Sequence, residues 1–278
     1  KAPNWLTDAA GINAKQVAGK PIGNHVTATD FDRSRGNVNP TVFNIERDGM
    51  LNADHIITVS NLTRDTVIYK YGIDPAKVTT VHNAVTPLDA ETLAIKASKP
   101  KEKVVTFRGR ITMQKGPEYF VEAAVKVLKN NHNVRFVMAG SGDKMDEMIT
   151  LAAKRGIADR FHFPGFQKGK QVYEMLSASD VYVMPSVSEP FGISPLEAMQ
   201  MGVPSIISKQ SGCAEILTNV IKTDYWDIDA MAEAINALVA YPSMHKQLKE
   251  DRLAEVHAIT GDKPGQKVID MSNQELRR

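Results

Sequence analysis

Apolar runs of strand length alternate with amphipathic stretches of helix length along almost all of the 278 residues. The strand-like runs are continuous, as in VRFVMAG at 134–140, which is typical of parallel strands covered on both faces by helices. This pattern predicts an α/β protein with doubly wound parallel sheets. We predict strands over 22–28, 55–59, 78–82, 103–107, 134–139, 160–163, 180–184 and 203–207. We predict helices near 5–18, 40–53, 61–71, 117–130, 144–155, 168–178, 195–201, 227–240, 242–256 and 264–275.

One stretch interrupts this alternation. Residues 85–102, VTPLDAETLAIKASKPKE, are polar, contain prolines and lack strand character, which is typical of a linker. We therefore predict two domains, over 1–86 and 87–262. The second is long enough for a complete doubly wound domain, whereas the first is too short and is predicted to be incomplete.

Composition limits the class of protein. The 34 Lys and Arg against 32 Asp and Glu give a net charge of +2, without the excess of positive charge typical of nucleic-acid-binding proteins. No run approaches the roughly 20 apolar residues of a membrane-spanning helix. Cys213 is the only cysteine, which excludes an internal disulfide or a cysteine-based metal site and favours a reducing, cytoplasmic compartment. The sequence begins at Lys1 in mid-pattern, so we predict that it is part of a longer protein.

Two glutamates lie on either side of a glycine turn in SEPFGISPLEAM at 188–199. Helix capping explains Glu197 by itself, because Ser194 suits the N-cap and Pro195 the first helical position, so that Glu197 completes a capping box. The place of the turn favours a ligand site instead. It follows the predicted strand at 180–184, and open α/β sheets bind ligands at the carboxyl ends of their strands.

The same turn combines an anion site with hydrogen-bond acceptors. Gly192 leaves the turn without a side chain, so the backbone amides of 191–194 can approach an anion at the start of the helix. The carboxylates of Glu189 and Glu197 would repel a bare phosphate, but they can accept hydrogen bonds from sugar hydroxyls. A nucleotide sugar, with hydroxyls on both sides of a diphosphate, is a ligand of this kind.

Three cations lie close together in VVTFRGRITMQKG at 104–116, namely Arg108, Arg110 and Lys115. A solvated loop is the ordinary explanation of such a cluster. The alternative is a diphosphate clamp, in which arginine supplies a planar fork of donors and lysine a mobile point charge. The nucleotide-binding patterns GxxxxGK[ST] and GxGxxG are both absent.

Glycines also follow two further predicted strands. Gly140 lies in MAGSGD and Gly165 in FHFPGF. Each can either allow close approach of a ligand to the backbone or simply turn the chain, and the sequence leaves both possibilities open.

Taken in series, these motifs resemble a known family. The stretches GR…QKG, AGSGD, F.G, PS.SEPFGI..LEAM..G.P.I and SGCAEIL have the order and spacing found in the family-4 retaining glycosyltransferases, a glycogen-synthase-like group. The resemblance extends from about Asn4 to about Glu255, as in an amino-terminally truncated fragment. It implies the GT-B architecture of two Rossmann-like domains, with residues 1–86 as part of the acceptor-side domain and 87–262 as the donor-binding domain. It also implies that a closing helix near 263–278 packs back on the first domain.

The resemblance implies roles for individual residues. Arg110 and Lys115 would hold the donor diphosphate and stabilise charge on the leaving group. Glu189 would contact hydroxyls of the transferred sugar, and Glu197 would accept from the ribose hydroxyls. The donor pocket would be lined by Gly109, Gly140, Gly165, Pro190, Phe191, Gly192 and Ile193.

The implied reaction is the retaining transfer of a sugar from a UDP-, ADP- or GDP-sugar to a hydroxyl of a glycan, glucan or lipid-linked sugar. The family uses neither a metal nor a cofactor, and its partners are the nucleotide sugar and the carbohydrate acceptor. Two alternatives are a non-catalytic nucleotide-sugar-binding module and a nucleotide-sugar epimerase of the same architecture.

The sequence departs from the family at three places. The opening strands of the acceptor-side domain are absent, so we expect weak or no activity from this chain by itself. Thr27 stands where many members carry an active-site histidine, and His25 is a candidate substitute because it would point to the same face of a strand. Arg108 occupies a place that is usually apolar, where it can either add to the diphosphate clamp or face solvent.

Overall fold

The computed structural model of the protein describes residues 5–259 and 265–270, which form two parallel β-sheets with helices packed against them. The smaller sheet comprises β1 (Gly23–Val26), β2 (His55–Thr58) and β3 (Val78–Thr80), in that order. The larger sheet comprises β4 (Lys103–Arg108), β5 (Val134–Ala139), β6 (Phe161–Gly165), β7 (Val181–Met184), β8 (Ser205–Ser208) and β9 (Ile221–Thr223). The α-helices of the described chain are α1 (Trp5–Ala18), α2 (Asp30–Ser34), α3 (Pro40–Asn52), α4 (Asn61–Tyr71), α5 (Ala90–Leu93), α6 (Pro117–Asn130), α7 (Met145–Lys154), α8 (Lys170–Ala178), α9 (Ser194–Gln200), α10 (Ile228–Ala240) and α11 (Pro242–Ile259), and residues 265–270 are also helical.

The three-stranded sheet has a core of its own. Its strands are parallel, with Ile56 of β2 in register with Asn24 of β1 and Val78 of β3. Helix α4 begins after Ser60, whose hydroxyl accepts a hydrogen bond from the amide of Thr63 at 3.1 Å. The buried apolar cluster of this sheet and its helices is formed by Val26, Met50, Ala53, Ile56, Val67, Tyr71, Ile73 and Val78.

The six-stranded sheet is also parallel, and its strand order, β6-β5-β4-β7-β8-β9, reverses between β4 and β7. The chain runs outward from β4 to β6, returns through α8, and runs outward in the other direction from β7 to β9. Such a reversal leaves a crevice at the carboxyl ends of the two central strands, where open α/β sheets bind ligands. The loops after β4 and β7 are therefore the expected place for a ligand site.

Both faces of the six-stranded sheet are covered. On one face Phe136 is fully buried, with the ring of Phe161 stacked on it at 5.5 Å and the ring of Phe120 from α6 edge-on at 5.7 Å. On the other face Leu176 of α8 and Leu196 of α9 belong to a second buried cluster. Burial on both sides explains why the strands are continuous apolar runs.

The α/β class with parallel sheets is confirmed, and the eight predicted strands are present with small differences at their ends. Strand β9 and helices α2 and α5 were not predicted, because each is too short to produce a periodic pattern. Helix α5 lies within the predicted linker at 85–102. Among the described helices, none combines the length and the apolar character required to cross a bilayer.

The predicted closing helix near 263–278 falls partly outside the described residues. Residues 265–270 are helical, and Nζ of Lys267 donates to the carbonyl oxygen of Thr80 at 3.4 Å. This segment therefore contacts β3 of the smaller sheet. Residues 263–264 and 271–278 lie outside the described residues.

Glu215, in the segment between β8 and β9, joins the two sheets on one side. Its carboxylate accepts hydrogen bonds from the amides of Asn61 and Leu62, at 2.9 and 2.7 Å, at the start of α4. It also lies 2.7 Å from Nε2 of His82, which follows β3. The amino-terminal end of a helix favours negative charge, so this carboxylate is well placed to hold α4 against the larger sheet.

A second set of contacts joins the sheets near α2. The hydroxyl of Ser188 donates to Asp32 at 2.6 Å. Arg35 donates from Nε to the carbonyl oxygen of Met113 and from Nη2 to Glu118, both at 2.5 Å. The loops after β4 and β7 therefore lie against elements of the smaller sheet.

We expect Glu215 to make stability depend on pH in the acid range. Burial disfavours its charged form, but hydrogen bonds from His82 and from the amides of Asn61 and Leu62 outweigh burial and lower the pKa of Glu215. A lowered pKa contributes stability that is present above the unfolded pKa, about 4.3, and is lost as pH falls through the folded pKa. Glu215→Gln should therefore lower the free energy of unfolding by about 1–3 kcal/mol at pH 7, and by less below about pH 4.

Urea unfolding of both proteins at the two pH values measures this difference. Glu122→Gln removes an ion pair with the more exposed Arg155, on the outside of the larger sheet, and is the control. We expect it to change the free energy of unfolding by less than about 0.5 kcal/mol. An equal loss for Glu215→Gln at both pH values would contradict the assigned role of its charge.

Candidate functional site

The loop after β4 brings three cationic side chains to the point where the strand order reverses. Arg108 ends β4, Arg110 lies in the loop, and a 3-10 turn, Met113–Lys115, leads into α6. The amide of Ile111 donates to the carbonyl oxygen of Ser141 at 2.8 Å. The loop after β4 is thereby fixed against the loop after β5.

Gly140 allows these two loops to approach closely. Its φ is 148°, and a Cβ atom at this position would lie 1.8 Å from the carbonyl oxygen of Gly109. Its amide donates to the carbonyl oxygen of Gly165 at 2.9 Å. The three glycines that the sequence places in the donor pocket, Gly109, Gly140 and Gly165, therefore lie side by side at the ends of β4, β5 and β6. Because glycine has no side chain, a ligand can approach the backbone closely at these positions.

Lys115 meets Glu189 across the reversal point. The turn that carries Lys115 ends at Gly116, where a Cβ atom would lie 2.2 Å from the carbonyl oxygen of Pro185 at the end of β7. This close packing holds Nζ of Lys115 against Oε2 of Glu189, and the two side chains are only 18% and 10% exposed. Two residues that the sequence predicts as functional are therefore an ion pair.

Gln114 connects the same two loops, and the sequence analysis did not identify it. Its side chain is buried, accepts from Nη2 of Arg110 at 3.1 Å and donates to the carbonyl oxygen of Ser188 at 3.0 Å. Its own carbonyl oxygen accepts from the amide of Val187 at 2.9 Å. Nothing in the sequence distinguishes this glutamine from a solvated loop residue.

The loop after β7 is held in place by the segment after β8. The amide of Glu189 donates to Gln210 at 3.0 Å, and its carbonyl oxygen accepts from Gly212 at 2.9 Å. The carbonyl oxygen of Phe191 accepts from the amide of Cys213 at 2.7 Å, and the ring of Phe191 is buried. Burial raises the pKa of the Cys213 thiol to about 12, which disfavours the reactive thiolate near neutral pH.

The capping box that would explain Glu197 without a ligand is absent from α9. The N-cap is Ile193 and makes no side-chain capping bond, so Ser194 is already within the helix. The carboxylate of Glu197 pairs with Nη1 of Arg108, because a guanidinium is a stronger partner for a carboxylate than a backbone amide. Within the described chain, no acceptor takes the amide hydrogens of 192–194, and of these three residues Gly192 is buried whereas Ile193 is exposed and Ser194 half-buried.

A cavity of about 180 Å³ lies between these loops. It brings the cationic loop and the start of α9 together, since Arg110 and Ser194 both line it. Arg110 is exposed, and its hydrogen-bond partner is the neutral amide of Gln114, which leaves its charge available to an anion. The lining residues are Arg108, Gly109, Arg110, Ala139, Gly140, Ser141, Phe166, Gln167 and Ser194.

Other predicted residues lie outside this cavity. His25 is half-buried on β1 of the smaller sheet, in register with Ile57, and Thr27 after it is exposed. Ile193 and Glu197 line a separate cavity of about 370 Å³ beside the linker. Among the remaining predicted residues, Gly165 accepts a hydrogen bond from the amide of Gly140, while Pro190, Phe191 and Gly192 form the buried turn before α9.

Two family models match consecutive parts of the chain. Residues 9–87 match the model described as Glycosyltransferase Family 4, and residues 89–252, more than half of the chain, match Glycosyl transferases group 1. The chain belongs to the glycosyl transferases group 1 family. The glycosyltransferase family that the motifs predict is therefore confirmed.

Curated relatives agree with this assignment. A glycosyltransferase of Methanocaldococcus jannaschii, MJ1607, is 31% identical over 231 residues, which cover 78% of this chain and 59% of the relative. Alpha-maltose-1-phosphate synthase of Mycolicibacterium smegmatis is 30% identical over 225 residues, which cover 73% of this chain and 58% of the relative. This group 1 glycosyltransferase chain therefore spans somewhat more than half the length of these two relatives.

Solved structures share its fold. Sucrose-phosphate synthase of Thermosynechococcus elongatus matches with a TM-score of 0.82 at 21% identity, covering 98% of this chain and 72% of that one. HepE of Anabaena, in complex with UDP-glucose, matches with a TM-score of 0.82 at 17% identity, covering 98% and 77%. The predicted GT-B architecture, with two Rossmann-like parallel sheets, is confirmed.

We expect Gly140→Ala to destabilise the glycosyltransferase by about 3 kcal/mol or more, because the new methyl group overlaps the carbonyl oxygen of Gly109 and the backbone is left-handed. Gly156→Ala is the matched control. Gly156 has a φ of 71° and nothing within 4 Å of the new methyl group, so only the backbone strain of about 1 kcal/mol should remain. Urea unfolding of the two variants measures the difference, and similar losses would argue against the close contact of the two loops.

Proposed function

We propose that this chain binds a nucleotide-diphosphate sugar and takes part in transfer of the sugar to a hydroxyl acceptor with retention of configuration. The proposal rests on one cavity lined by both Arg110 and Ser194, and on the Lys115–Glu189 ion pair between the loops after β4 and β7, neither residue of which lines that cavity. HepE of Anabaena was solved with UDP and with UDP-glucose, and TarM of S. aureus with UDP. These proteins of the same fold support a nucleotide-diphosphate sugar as donor, and we propose a UDP-, ADP- or GDP-sugar.

In this proposal the diphosphate lies between the loop after β4 and the start of α9. Arg110 offers a planar pair of donors to phosphate oxygens, and Lys115 adds a point charge. The amides of 192–194 add neutral donors at the start of the helix. Together these groups stabilise the negative charge of the donor diphosphate, with the net positive charge supplied by Arg110 because Lys115 is also paired with Glu189.

The two carboxylates bind hydroxyls on either side of the diphosphate. Glu189 accepts from hydroxyls of the transferred sugar, while Lys115, which has three N–H donors, bridges Glu189 and a phosphate oxygen. Glu197 accepts from the ribose hydroxyls. His25, on the smaller sheet, is the candidate active-site residue there, because Thr27 stands at the position of the family's histidine and His25 lies two residues before it.

The reaction proceeds on one face of the sugar. The acceptor hydroxyl oxygen forms a bond to the anomeric carbon on the face from which the diphosphate leaves. The bond between that carbon and the phosphate oxygen breaks with its electron pair on the phosphate, which takes the proton of the hydroxyl. Arg110, Lys115 and the helix amides stabilise the leaving oxygen, and one such donor typically contributes about 3–4 kcal/mol to lowering the barrier.

Removing either cation should weaken nucleotide binding. We expect UDP, ADP or GDP at millimolar concentration to raise the thermal unfolding midpoint of the protein. Arg110→Ala and Lys115→Ala should each weaken binding by about 10–100-fold, because each removes charge-assisted hydrogen bonds to the diphosphate. A panel of the three nucleotides in a thermal-shift titration measures this.

Lys126→Ala is the matched control, because Lys126 lies on the outside of α6, half-exposed and paired with Asp229. It should leave nucleotide binding unchanged. Absence of protection by all three nucleotides would overturn the proposed donor class. Nucleotide binding without transfer or donor hydrolysis would favour a non-catalytic module, and an isomerised donor would favour an epimerase.

We also propose that transfer needs no metal ion, because side-chain cations and helix amides are in place to neutralise the diphosphate. Nucleotide binding should then be the same in EDTA as in buffers with Mg²⁺ or Mn²⁺, within about twofold. Titration of UDP under the three conditions measures this. A tenfold or larger loss of affinity in EDTA would contradict the proposal.

A further inference from the structure

Arg108 and Glu197 form an ion pair across the point where the strand order reverses. Arg108 is the last residue of β4 and Glu197 lies in α9, which follows β7. Nη1 of Arg108 contacts Oε2 of Glu197, and the two side chains are 23% and 20% exposed. Arg108 also lines the cavity that contains Arg110 and Ser194, whereas Glu197 lines the separate cavity beside the linker, so the ion pair connects the linings of the two cavities.

The backbone of Arg108 is fixed from both sides. It is in register with Ala139 of β5, and its carbonyl oxygen accepts from the hydroxyl of the fully buried Tyr182 of β7 at 3.1 Å. The guanidinium therefore extends from a rigid strand end, whereas Arg110 extends from an exposed loop. A partner anchored in this way restricts the carboxylate of Glu197 to few rotamers.

The pair leaves acceptor capacity on Glu197. Arg108 contacts Oε2 alone, and among the described residues no donor contacts Oε1. A carboxylate has about four lone-pair sites, so one guanidinium contact leaves room for two hydroxyl donors. A guanidinium has no acceptor, so Arg108 itself cannot take a hydrogen bond from a hydroxyl.

Charge balance gives the pair a second effect. Without Arg108, Glu197 would place an uncompensated negative charge beside a bound diphosphate, which would repel it. With Arg108, three cations face two carboxylates, and the site keeps one net positive charge. Arg108 therefore lets a carboxylate act as a hydroxyl acceptor without opposing the anionic part of the ligand.

We propose that Arg108 is a positioning residue that makes the site selective for ribonucleotides, because it holds and neutralises the carboxylate that accepts the ribose hydroxyls. This proposal rests on the proposed function, in which Glu197 binds the ribose. It distinguishes Arg108 from Arg110 and Lys115, which act on the diphosphate. Replacing Arg108 should therefore change the preference for ribose over dideoxyribose more than it changes the affinity for the diphosphate.

The test compares UDP, ADP and GDP with their 2′,3′-dideoxy forms in calorimetric or thermal-shift titrations. We expect the wild-type protein to bind the ribose form of the preferred nucleotide about tenfold more tightly, which corresponds to one hydrogen bond to a charged group. Arg108→Met, which keeps an unbranched apolar stem but removes the guanidinium, should bring this ratio below about threefold. Arg108→Lys should retain a part of the preference, because it restores a charge beside Glu197.

Two further variants serve as the positive and the negative control for loss of the ribose preference. Glu197→Gln removes the carboxylate directly and should lose the ribose preference as Arg108→Met does. Arg155→Met breaks an arginine–glutamate pair on the outer surface and should keep the wild-type ratio. Thermal unfolding midpoints of all four variants show whether each remains folded.

The outcomes separate the two proposals. Binding of a nucleoside diphosphate by wild type with equal affinity for its dideoxy form would overturn the role of Arg108 and leave the donor site in place. A loss of affinity in Arg108→Met that is equal for both forms would also overturn it, since the preference for ribose would then not depend on Arg108. Failure of all three nucleotides to bind would overturn the proposed function and, with it, this inference.

Discussion

Backbone pairing between β4 and β7 is the constraint on which the candidate site depends. Val105 is in register with Val181, and Thr106 with Tyr182. Parallel strands end at the same edge of a sheet, so the loops that follow these two strands must meet. The meeting places the cationic loop after β4 against the turn before α9, and both ion pairs of the site cross this single strand boundary.

The two ion pairs explain how the carboxylates of Glu189 and Glu197 can lie close to a proposed anion-binding site. Glu189 is paired with Lys115 and Glu197 with Arg108, so neither partly buried carboxylate is left without compensating charge. Arg110 contacts a neutral amide instead. The site is therefore balanced apart from one exposed arginine, and an anionic ligand that also carries hydroxyls suits this arrangement.

Secondary structure and fold class could be predicted because strong local signals agree with the final packing. Continuous apolar strands and long amphipathic helices report burial on both faces of a parallel sheet, and the eight strands that carry this signal are present. The elements that were missed, α2, α5 and β9, have three to five residues and owe their conformation to neighbours. The capping box, which the sequence offered as the alternative explanation of Glu197, is absent for a related reason, since Glu197 has a stronger partner on a distant strand.

The sequence by itself determined the longer helices and eight of the strands, the glycine turns at the strand ends, and the charged residue types of the candidate site. Only the tertiary structure decided which of these groups meet. The pairs Lys115–Glu189 and Arg108–Glu197, and the bridge that Gln114 forms between Arg110 and the loop after β7, join segments that are far apart in the chain. Local propensity acts over a few residues, whereas these contacts depend on strand order and on the close backbone approach at Gly116 and Gly140, which no local pattern encodes.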